Sequence, residues 1–219
     1  MPLPALPTLP GYYDTARLPL LALLGEHVPR QVLEVGCGEG TTLAAVKARW
    51  PTAHTTGLER VAAAARGGRA AGHADDWVEA DVLDAAAANF EPGRFDVVIL
   101  SHVLEHFAEP AAVLARVRPW LAKDARLLVA MPNVRHLSVL LPLLLGGEFR
   151  YQASGILDRT HLRFFTRRSA ERFFAEQGFT VEAVAADING PQSTLLNRAS
   201  LGLARDFAAF AWNFRLRAA

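Results

Sequence analysis

The ten residues Gln31–Gly40 (QVLEVGCGEG) constrain the fold more than any other part of this chain. Gln31–Val35 is a short, mostly apolar run, which predicts a buried strand. The glycines at positions 36, 38 and 40 predict a tight turn, because glycine adopts left-handed backbone conformations without strain. Apolar residues at helical spacing then predict a helix from about Thr41 to Arg49. A strand, a turn and a helix in this order begin a βαβ unit.

Strands and helices continue to alternate as far as residue 132. The segment FDVVILS is a continuous apolar run with β-branched residues, as expected for a strand buried on both faces of a sheet. This alternation favours a Rossmann-like, doubly wound α/β fold with helices on both faces of a parallel sheet. The predicted elements are strands at His54–Glu59, Trp77–Asp81, Phe95–Ser101 and Arg126–Met131, a helix at Val61–Arg66 that ends at Gly67–Gly68, and a helix that begins near Pro110.

The pattern changes after Asn133. The later elements are an apolar helix at Val134–Leu145, an arginine-rich loop, a helix at Arg167–Gln177, and strands at Gly178–Ala186 and Ala211–Leu216. With the earlier strands they complete a mostly parallel seven-stranded sheet with a C-terminal lid insertion. We predict one domain, made of an N-terminal cap (1–30), a cofactor-binding core (31–132), a substrate lid (133–177) and C-terminal sheet elements (178–219).

The composition is that of an ordinary soluble globular protein. The chain has 219 residues, 51% of them hydrophobic, and a net charge of +1, which favours neither nucleic acid nor membrane partners. Its single cysteine excludes a disulfide framework or a multi-cysteine zinc site within the chain. The N-terminal residues MPLPALPTLPG do not resemble a secretory signal, and the apolar run Leu137–Leu145 is too short for a transmembrane helix of about 20 residues. We therefore expect a cytoplasmic protein.

The spacing of the glycines indicates what the turn does not bind. A dinucleotide site requires G-x-G-x-x-G, and Thr41 stands where that fingerprint needs its third glycine. Glu34, just before the turn, would repel a pyrophosphate but suits a ligand with an ammonium group. Both features disfavour a nicotinamide dinucleotide.

Two more carboxylates end the next two predicted strands. Glu59 follows the turn by about 20 residues, where a carboxylate can accept hydrogen bonds from a ribose diol. Asp81 ends the third strand, where it can accept a hydrogen bond from an exocyclic amine such as that of adenine. Because the ends of parallel strands share one edge of the sheet, we expect these groups around a single ligand.

Four segments, VLEVGCGEG, GLER, EADV and FDVVILSHVLEH, resemble the class I S-adenosylmethionine-dependent methyltransferases in their order and spacing. The resemblance covers nearly the whole chain, since YYDTARLPLLALL is similar to the family's N-terminal helix. MPNVRHLSVLLPLLLGGEFRY and GILDRTHLRFFTRRS resemble a subgroup of small bacterial methyltransferases that accompany glycosyltransferases of surface-polysaccharide synthesis. The resemblance implies S-adenosyl-L-methionine as the methyl donor and S-adenosyl-L-homocysteine as the product.

The resemblance also implies which residues hold the cofactor. The glycine turn, with Cys37 as a small residue inside it, lets the backbone approach the cofactor, and Glu34 lies near its ammonium group. Tyr13 and Arg17 close over the cofactor's carboxylate, or else form an N-terminal surface cap. The implied cofactor-binding residues are Tyr13, Arg17, Glu34, Gly36, Cys37, Gly38, Gly40 and Glu59 around the methionine and ribose parts, Asp81 and Val82 at the adenine, Ser101 and His102 at the methyl-donor end, and also Arg60.

An oxygen acceptor must lose its proton, and histidine suits this task because it titrates near neutrality. The candidates are His102, His106, His136 and His161, of which His106 is expected at a helix terminus. Our hypothesis is that His161 faces the acceptor as base or orienter, with Asp158 orienting its imidazole. The alternative is a loop histidine that only holds the lid. The predicted catalytic residues are therefore His161, Asp158 and His102, and no metal ligands are predicted.

The segment Phe149–Arg172 contains six arginines against two acidic residues. This excess favours an acceptor with a phosphate group, such as a nucleotide sugar or a lipid-linked sugar, because arginine forks match phosphate geometry. Leu137–Leu145 would then cover the site or contact a lipid tail. The alternative is a solvated face of surface arginines.

The function that these features favour is methylation of a hydroxyl group on a sugar or similar small polar metabolite. Methylation of nitrogen or carbon on another metabolite remains open, and so does a non-catalytic module that binds the cofactor for a partner enzyme. A nucleic-acid substrate is disfavoured, because the chain has no broad basic face and SHVL stands where an Asn-Pro-Pro-Tyr-like tetrapeptide would be expected.

Overall fold

A computed structural model of the protein describes residues 16–219, and a seven-stranded sheet forms its centre. The strands lie in the order β3-β2-β1-β4-β5-β7-β6. They are β1 (Gln31–Val35), β2 (His54–Leu58), β3 (Asp76–Val78), β4 (Phe95–Ser101), β5 (Leu121–Pro132), β6 (Phe179–Asp187) and β7 (Ala211–Ala218). The predicted Rossmann-like α/β fold is thereby confirmed.

Strand directions place a crevice at one end of the sheet. Strands β1 to β5 pair in parallel, whereas β7 runs antiparallel to its neighbours β5 and β6. The strand order reverses at β1, which lies between β2 and β4. Ligands of doubly wound sheets bind at such a reversal, beyond the carboxyl ends of the strands.

Helices connect the strands, and most of them match the sequence pattern. They are α1 (Leu18–Leu21), α2 (Thr41–Arg49), α3 (Ala62–Ala71), α4 (Pro110–Val117), α5 (Leu137–Gly146), α6 (Arg167–Glu176), α7 (Pro191–Ala199) and α8 (Arg205–Ala208). The sequence did not predict α7 and α8. Helix α7 buries none of its residues, so it has no apolar stripe from which a helix could be recognised.

The core lies on both faces of the sheet. On β4, Val98 and Leu100 belong to one buried cluster, while Val97 and Ile99 belong to the other. Successive side chains of a strand point to opposite faces, so a strand buried on both faces needs apolar residues at consecutive positions. This explains the apolar run at residues 97–100, while the buried Asp96 before it accepts hydrogen bonds from the backbone N–H groups of Arg30 and Gln31.

Helix α3 corrects the prediction that Gly67–Gly68 ends the second helix. The helix continues through both glycines and ends at Gly72, which adopts the left-handed conformation with φ +69°. A Cβ atom at position 68 would lie 2.3 Å from the carbonyl oxygen of Glu39 and 2.3 Å from the ring of Trp77. Gly68 therefore allows the helix to pack directly against the glycine turn.

Two strands, β3 and β5, differ most from their predicted bounds, whereas β2, β6 and β7 differ by one or two residues at an end. The strand predicted at Trp77–Asp81 ends at Val78. The strand predicted at Arg126–Met131 begins already at Leu121, because Leu121 pairs with Phe95 beyond an irregularity in the ladder.

Helix α5 begins at Leu137, three residues later than predicted, and it is exposed. His136 caps it, since its Nδ1 accepts a hydrogen bond from the Ser138 backbone N–H at 3.2 Å. Of its apolar residues only Val139 is buried, while Leu141, Leu143, Leu144 and Leu145 are exposed. Among residues 16–219, no helix has the length and apolar character needed to cross a bilayer.

Candidate functional site

A cavity of about 350 Å³ lies at the carboxyl ends of β1, β2 and β4. It brings together residues that are far apart in the sequence, including most of those predicted to bind the cofactor. The predicted residues that line it are Arg17, Glu34, Gly36, Cys37, Gly38, Glu59, Arg60, Asp81, Val82, Ser101, His102 and His161. Tyr13 lies outside the described residues.

The three glycines of the turn all have positive φ, at +65° for Gly36, +57° for Gly38 and +74° for Gly40. A residue with a side chain would be strained at each position. Gly36 and Gly38 line the cavity, but Gly40 does not. A Cβ atom at Gly40 would lie 2.8 Å from the ring of Trp77, so this glycine allows the turn to pack against that ring, and its place at the cofactor stays a prediction.

Glu34 provides a buried carboxyl group in the cavity wall. Its side chain is 3% exposed, and burial raises its pKa to about 8, although a hydrogen bond with Thr42 and the charge of Arg17 oppose the rise. Its Oε2 atom is buried and finds no hydrogen-bond partner within the described part of the chain. A buried carboxyl group with one unpaired oxygen fits a ligand that brings an ammonium group.

Glu59 ties the end of β2 to the glycine turn. Its Oε2 accepts a hydrogen bond from the Gly38 N–H at 2.8 Å, and its Oε1 accepts one from the Val61 N–H at 2.7 Å. Each carboxylate oxygen can accept a second hydrogen bond, so the group can still bind a diol.

Asp81 and Arg60 form the next part of the wall. Asp81 Oδ1 accepts a hydrogen bond from the Leu83 N–H at 2.9 Å, and its Oδ2 lies 3.8 Å from the Arg60 guanidinium. Both side chains are partly exposed, so their attraction is screened by water.

Cys37 is buried in the turn beside two acidic side chains. Burial, followed by the carboxyl groups of Glu34 and Glu59, raises the pKa of the thiol well above its usual value. The thiol therefore stays protonated, which agrees with a small packing residue rather than a nucleophile.

At its far end the cavity is lined by the residues at and just after the end of β4. The Ser101 hydroxyl is buried and unpaired among the described residues. His102 has φ +55°, an unfavourable conformation for a residue with a side chain, and its Nδ1 lies 3.2 Å from Glu105 Oε1. Such strained residues are often found at functional sites.

A cluster of titratable side chains adjoins His102. Glu105 is 1% exposed; burial alone would raise its pKa, but the hydrogen bond from His102 and the nearby imidazoles hold it below its usual value. Burial lowers the pKa of His106 in spite of the opposing charge of Glu105. The ring centroids of His106 and His161 lie 4.8 Å apart. The cluster therefore combines an ionised carboxylate with neutral imidazole.

The predicted hydrogen bond between Asp158 and the His161 ring is absent. Asp158 Oδ1 instead accepts hydrogen bonds from the N–H and the hydroxyl of Thr160, at 2.8 Å and 2.7 Å. The Nδ1 atom of His161 lies 2.9 Å from the carbonyl oxygen of Ile156, so a backbone group orients the ring. Asp158 also does not line the cavity. The prediction that Asp158 orients the His161 ring was therefore wrong, since the carboxylate binds Thr160 and the ring binds a backbone carbonyl.

His106, which the sequence analysis expected only at a helix terminus, is also a candidate functional residue. It ends the 3₁₀ turn Leu104–His106, as expected of a helix terminus, but it also lines the cavity. Glu105 follows His102 by three residues, and His106 follows it by four. In a helical turn this spacing places side chains on one side, so the sequence SHVLEH already indicated that the three residues could meet.

Two other groups of candidates lie elsewhere. His136 caps α5 and its Nε2 lies 3.1 Å from the Ser193 hydroxyl, and it does not line the cavity. None of the six arginines in Phe149–Arg172 lines the cavity either. Three of them pair with acidic residues, as Arg150 with Glu148, Arg163 with Glu109 and Arg167 with Glu171.

Comparison with known proteins adds to this geometry. A family model described as a methyltransferase domain matches residues 11–184. Trans-aconitate 2-methyltransferase from Methylobacterium radiotolerans is 32% identical over 115 residues, covering 52% of this chain and 42% of that protein. An uncharacterized 37.1 kDa transposon protein from Streptomyces fradiae is 26% identical over 166 residues, covering 75% of this chain and 48% of that protein. The chain thus spans less than half the length of these curated relatives.

Solved structures share the fold at low sequence identity. A crystal structure of an S-adenosylmethionine-dependent methyltransferase from Mesorhizobium loti has a TM-score of 0.63 at 17% identity, covering 91% of this chain and 96% of that one. The N-methyltransferase NodS from Bradyrhizobium japonicum, in complex with S-adenosylhomocysteine, has a TM-score of 0.61 at 15% identity, covering 92% and 84%. At such identities the likeness concerns the fold alone.

Proposed function

This chain belongs to the family of methyltransferase domains, and we propose that it methylates a hydroxyl group of a sugar or other small polar metabolite with S-adenosylmethionine as the donor. The observation that carries the proposal is the continuity of one cavity from Glu34 to His161. One end offers a buried carboxyl group with an unpaired oxygen, and the other offers histidines beside a carboxylate.

The cofactor would lie along the strand ends. The residues fit it, since Glu34 suits its ammonium group, Glu59 its ribose hydroxyls, and Asp81 with the backbone of Val82 its adenine. Arg17, beside Glu34 in the cavity wall, would approach its carboxylate. When bound, S-adenosylmethionine supplies an electrophilic methyl group on a sulfonium.

The chain's own residues would mainly align the acceptor and exclude water, an effect worth on the order of 7–11 kcal/mol in well-oriented reactions. Ser101 and His102, which line the cavity at and just after the end of β4, would lie at the methyl-donor end. His161 would act on the acceptor hydroxyl as base or orienter, because the bond at its Nδ1 leaves Nε2 as the basic nitrogen.

A panel of purified acceptors tests the proposal. Sugars, nucleotide sugars, amino sugars and simple amines would each be incubated with the protein and S-adenosylmethionine, and S-adenosylhomocysteine formation would be measured. Product analysis would locate the new methyl group. We expect an O-methylated product. An N-methylated product, obtained only with amines, would contradict the oxygen acceptor and establish the nitrogen alternative.

We also propose that the acceptor carries a phosphate group, as a nucleotide sugar or a lipid-linked sugar does. Support comes from Arg159, Arg168 and Arg172, which are exposed and have no acidic partner within residues 16–219. The exposed leucines of α5 suit a lipid-linked form. The acceptor's KM should then rise steeply with salt concentration. A KM that stays flat between 50 mM and 500 mM salt would contradict the phosphate.

Glu34 should make cofactor binding depend on pH. Its folded pKa of about 8 exceeds its ordinary value of 4.5, so between these values the folded protein holds a proton that the unfolded chain has lost. The free energy of unfolding of the cofactor-free protein therefore falls as the pH rises through this window, by up to about 1.4 kcal/mol per pH unit.

A cofactor ammonium beside Glu34 would favour its ionised form, and binding at pH 7 should release close to one proton.

Calorimetric titration of S-adenosylmethionine in two buffers with different ionisation enthalpies measures this release. The Glu34→Gln variant is the matched control, because it keeps the shape of the side chain and has no proton to release. Equal binding enthalpies in both buffers for the unsubstituted protein would contradict the assignment of Glu34 to the ammonium group.

A further inference from the structure

Glu105, His106 and His161, which we name the EHH cluster, each offer a ligand atom within 4.8 Å of the other two. We propose that the EHH cluster binds one divalent transition-metal ion at the acceptor end of the cavity, with Zn²⁺ as the ion best suited to its ligands. Two imidazoles and a carboxylate form a known ligand set for catalytic zinc, with further positions left for water or substrate.

Hydrogen bonds at the outer nitrogens turn both imidazoles toward the cluster. The carbonyl of Ile156 can only accept, so the His161 Nδ1 at 2.9 Å must carry the proton. The Thr160 hydroxyl donates to Asp158, so it accepts from the His106 Nδ1 at 3.1 Å. Each ring therefore presents an unprotonated Nε2 with a free lone pair. Metal-binding histidines almost always donate their other N–H in this way.

The carboxylate has one oxygen without a partner. Glu105 Oε1 lies 3.2 Å from the His102 ring, whereas Oε2 is buried and finds no hydrogen-bond partner within the described residues. An unpaired buried carboxylate oxygen is costly, and a cation between it and the two imidazoles would remove that cost.

Backbone hydrogen bonds fix the parts of the cluster relative to each other. The Glu105 carbonyl accepts from the N–H groups of Leu162 and Arg163, at 2.8 Å and 3.1 Å, so the 3₁₀ turn is joined to the loop that carries His161. Tetrahedral ligands about 2.1 Å from zinc lie about 3.4 Å apart. Ligand atoms 4.8 Å apart would have to close by about 1.4 Å, which rotations of the side-chain torsions can supply.

A bound ion would change how the acceptor is activated. This inference rests on the proposed methyl transfer, and of the two roles proposed for His161 it keeps the orienting one: its Nε2 would bind the ion, so it would orient the acceptor through the ion and would not take the proton. A bound ion would lower the pKa of an acceptor hydroxyl group at its open position, and the proton would pass to solvent. The acceptor oxygen would form its bond to the methyl carbon as the bond from that carbon to sulfur breaks, and no oxidant or reductant would be needed.

Metal binding can be measured without acceptor or cofactor. The full chain, freed of metal with a chelator, would be titrated with Co²⁺ by visible absorption and with Zn²⁺ by calorimetry. We expect one ion per chain, and an affinity that falls on the order of 100-fold in Glu105→Gln and His161→Ala. The control is His54→Ala, which removes an exposed histidine paired with Asp76 and should bind the ion unchanged.

The outcomes separate this inference from the proposed function. Undiminished S-adenosylhomocysteine binding would show that each variant is folded. The metal site is contradicted if the unsubstituted chain binds no ion at micromolar concentrations, or if His54→Ala lowers the affinity as much as the cluster variants do. Methyl transfer that survives chelation would contradict the ion's role while leaving the proposed function intact. Ion binding by the cluster without methyl transfer to any acceptor would confirm the site and contradict the function.

Discussion

Replacement of His161 by alanine should lower kcat for methyl transfer by about 10²–10⁴-fold, the range that positioned proton-transfer groups contribute. The affinity for S-adenosylhomocysteine should change little, because the residues proposed for the cofactor lie at the other end of the cavity. We expect kcat to fall because the buried His161 ring lines the cavity and is held in one orientation by the Ile156 carbonyl and the His106 ring.

The matched control is His136→Ala, which removes another histidine of the segment 133–177 but leaves the cavity wall intact. His161→Gln, of similar polarity, separates loss of chemistry from loss of packing. Steady-state kinetics and calorimetric titration of S-adenosylhomocysteine supply the two readouts. If His161→Ala kept full turnover with normal cofactor binding, the role of His161 at the acceptor would be wrong.

Replacement of Gly68 by alanine should lower the free energy of unfolding by about 2–3 kcal/mol, within the usual range for overpacking of a core. The added Cβ would lie 2.3 Å from the Glu39 carbonyl oxygen, a backbone atom that cannot move without shifting the glycine turn. A melting temperature lower by roughly 4–12 °C would follow for a chain of this size. Cofactor affinity should fall as well, because Glu39 belongs to the turn.

Gly67→Ala in the same helix is the control for this prediction. A Cβ atom there would lie 3.3 Å from Glu39 Oε1, the end of a flexible side chain that can move aside. Alanine is the better helix former by up to about 1 kcal/mol, so this variant should be as stable as the unsubstituted protein or more so. Thermal unfolding monitored by circular dichroism compares the two, and equal melting temperatures would contradict the packing argument.

The sequence predicted those parts of the fold that depend on local pattern. The strand β1, the glycine turn and α2 appear as expected, because strand, turn and helix signals lie within one short segment. The role of Gly68 could not be predicted, because it depends on contact with Glu39 and Trp77. Glycine is normally a helix breaker, and only the tertiary packing shows why Gly68 lies inside α3.

In the candidate site, too, the sequence predicted the features set by regular geometry and missed those set by tertiary contacts. Glu34, Glu59 and Asp81 lie within three residues of the carboxyl ends of successive strands, so the regular geometry of a parallel sheet predicts that they meet. The partners of His161 depend on an irregular loop, and the sequence wrongly suggested Asp158 in place of the Ile156 carbonyl. Its approach to His106 joins residues more than fifty positions apart, and no local periodicity reports such a contact.

The most direct test of the account is to incubate the protein with methyl-labelled S-adenosylmethionine and a fractionated bacterial extract. Nucleotide sugars, envelope lipids, neutral metabolites, protein and nucleic acid would be kept apart, with His161→Ala run in parallel. We predict that label enters a sugar-bearing small-molecule or lipid fraction and that the variant loses this transfer. Tight cofactor binding without transfer into any fraction would contradict the account and establish a non-catalytic cofactor-binding module.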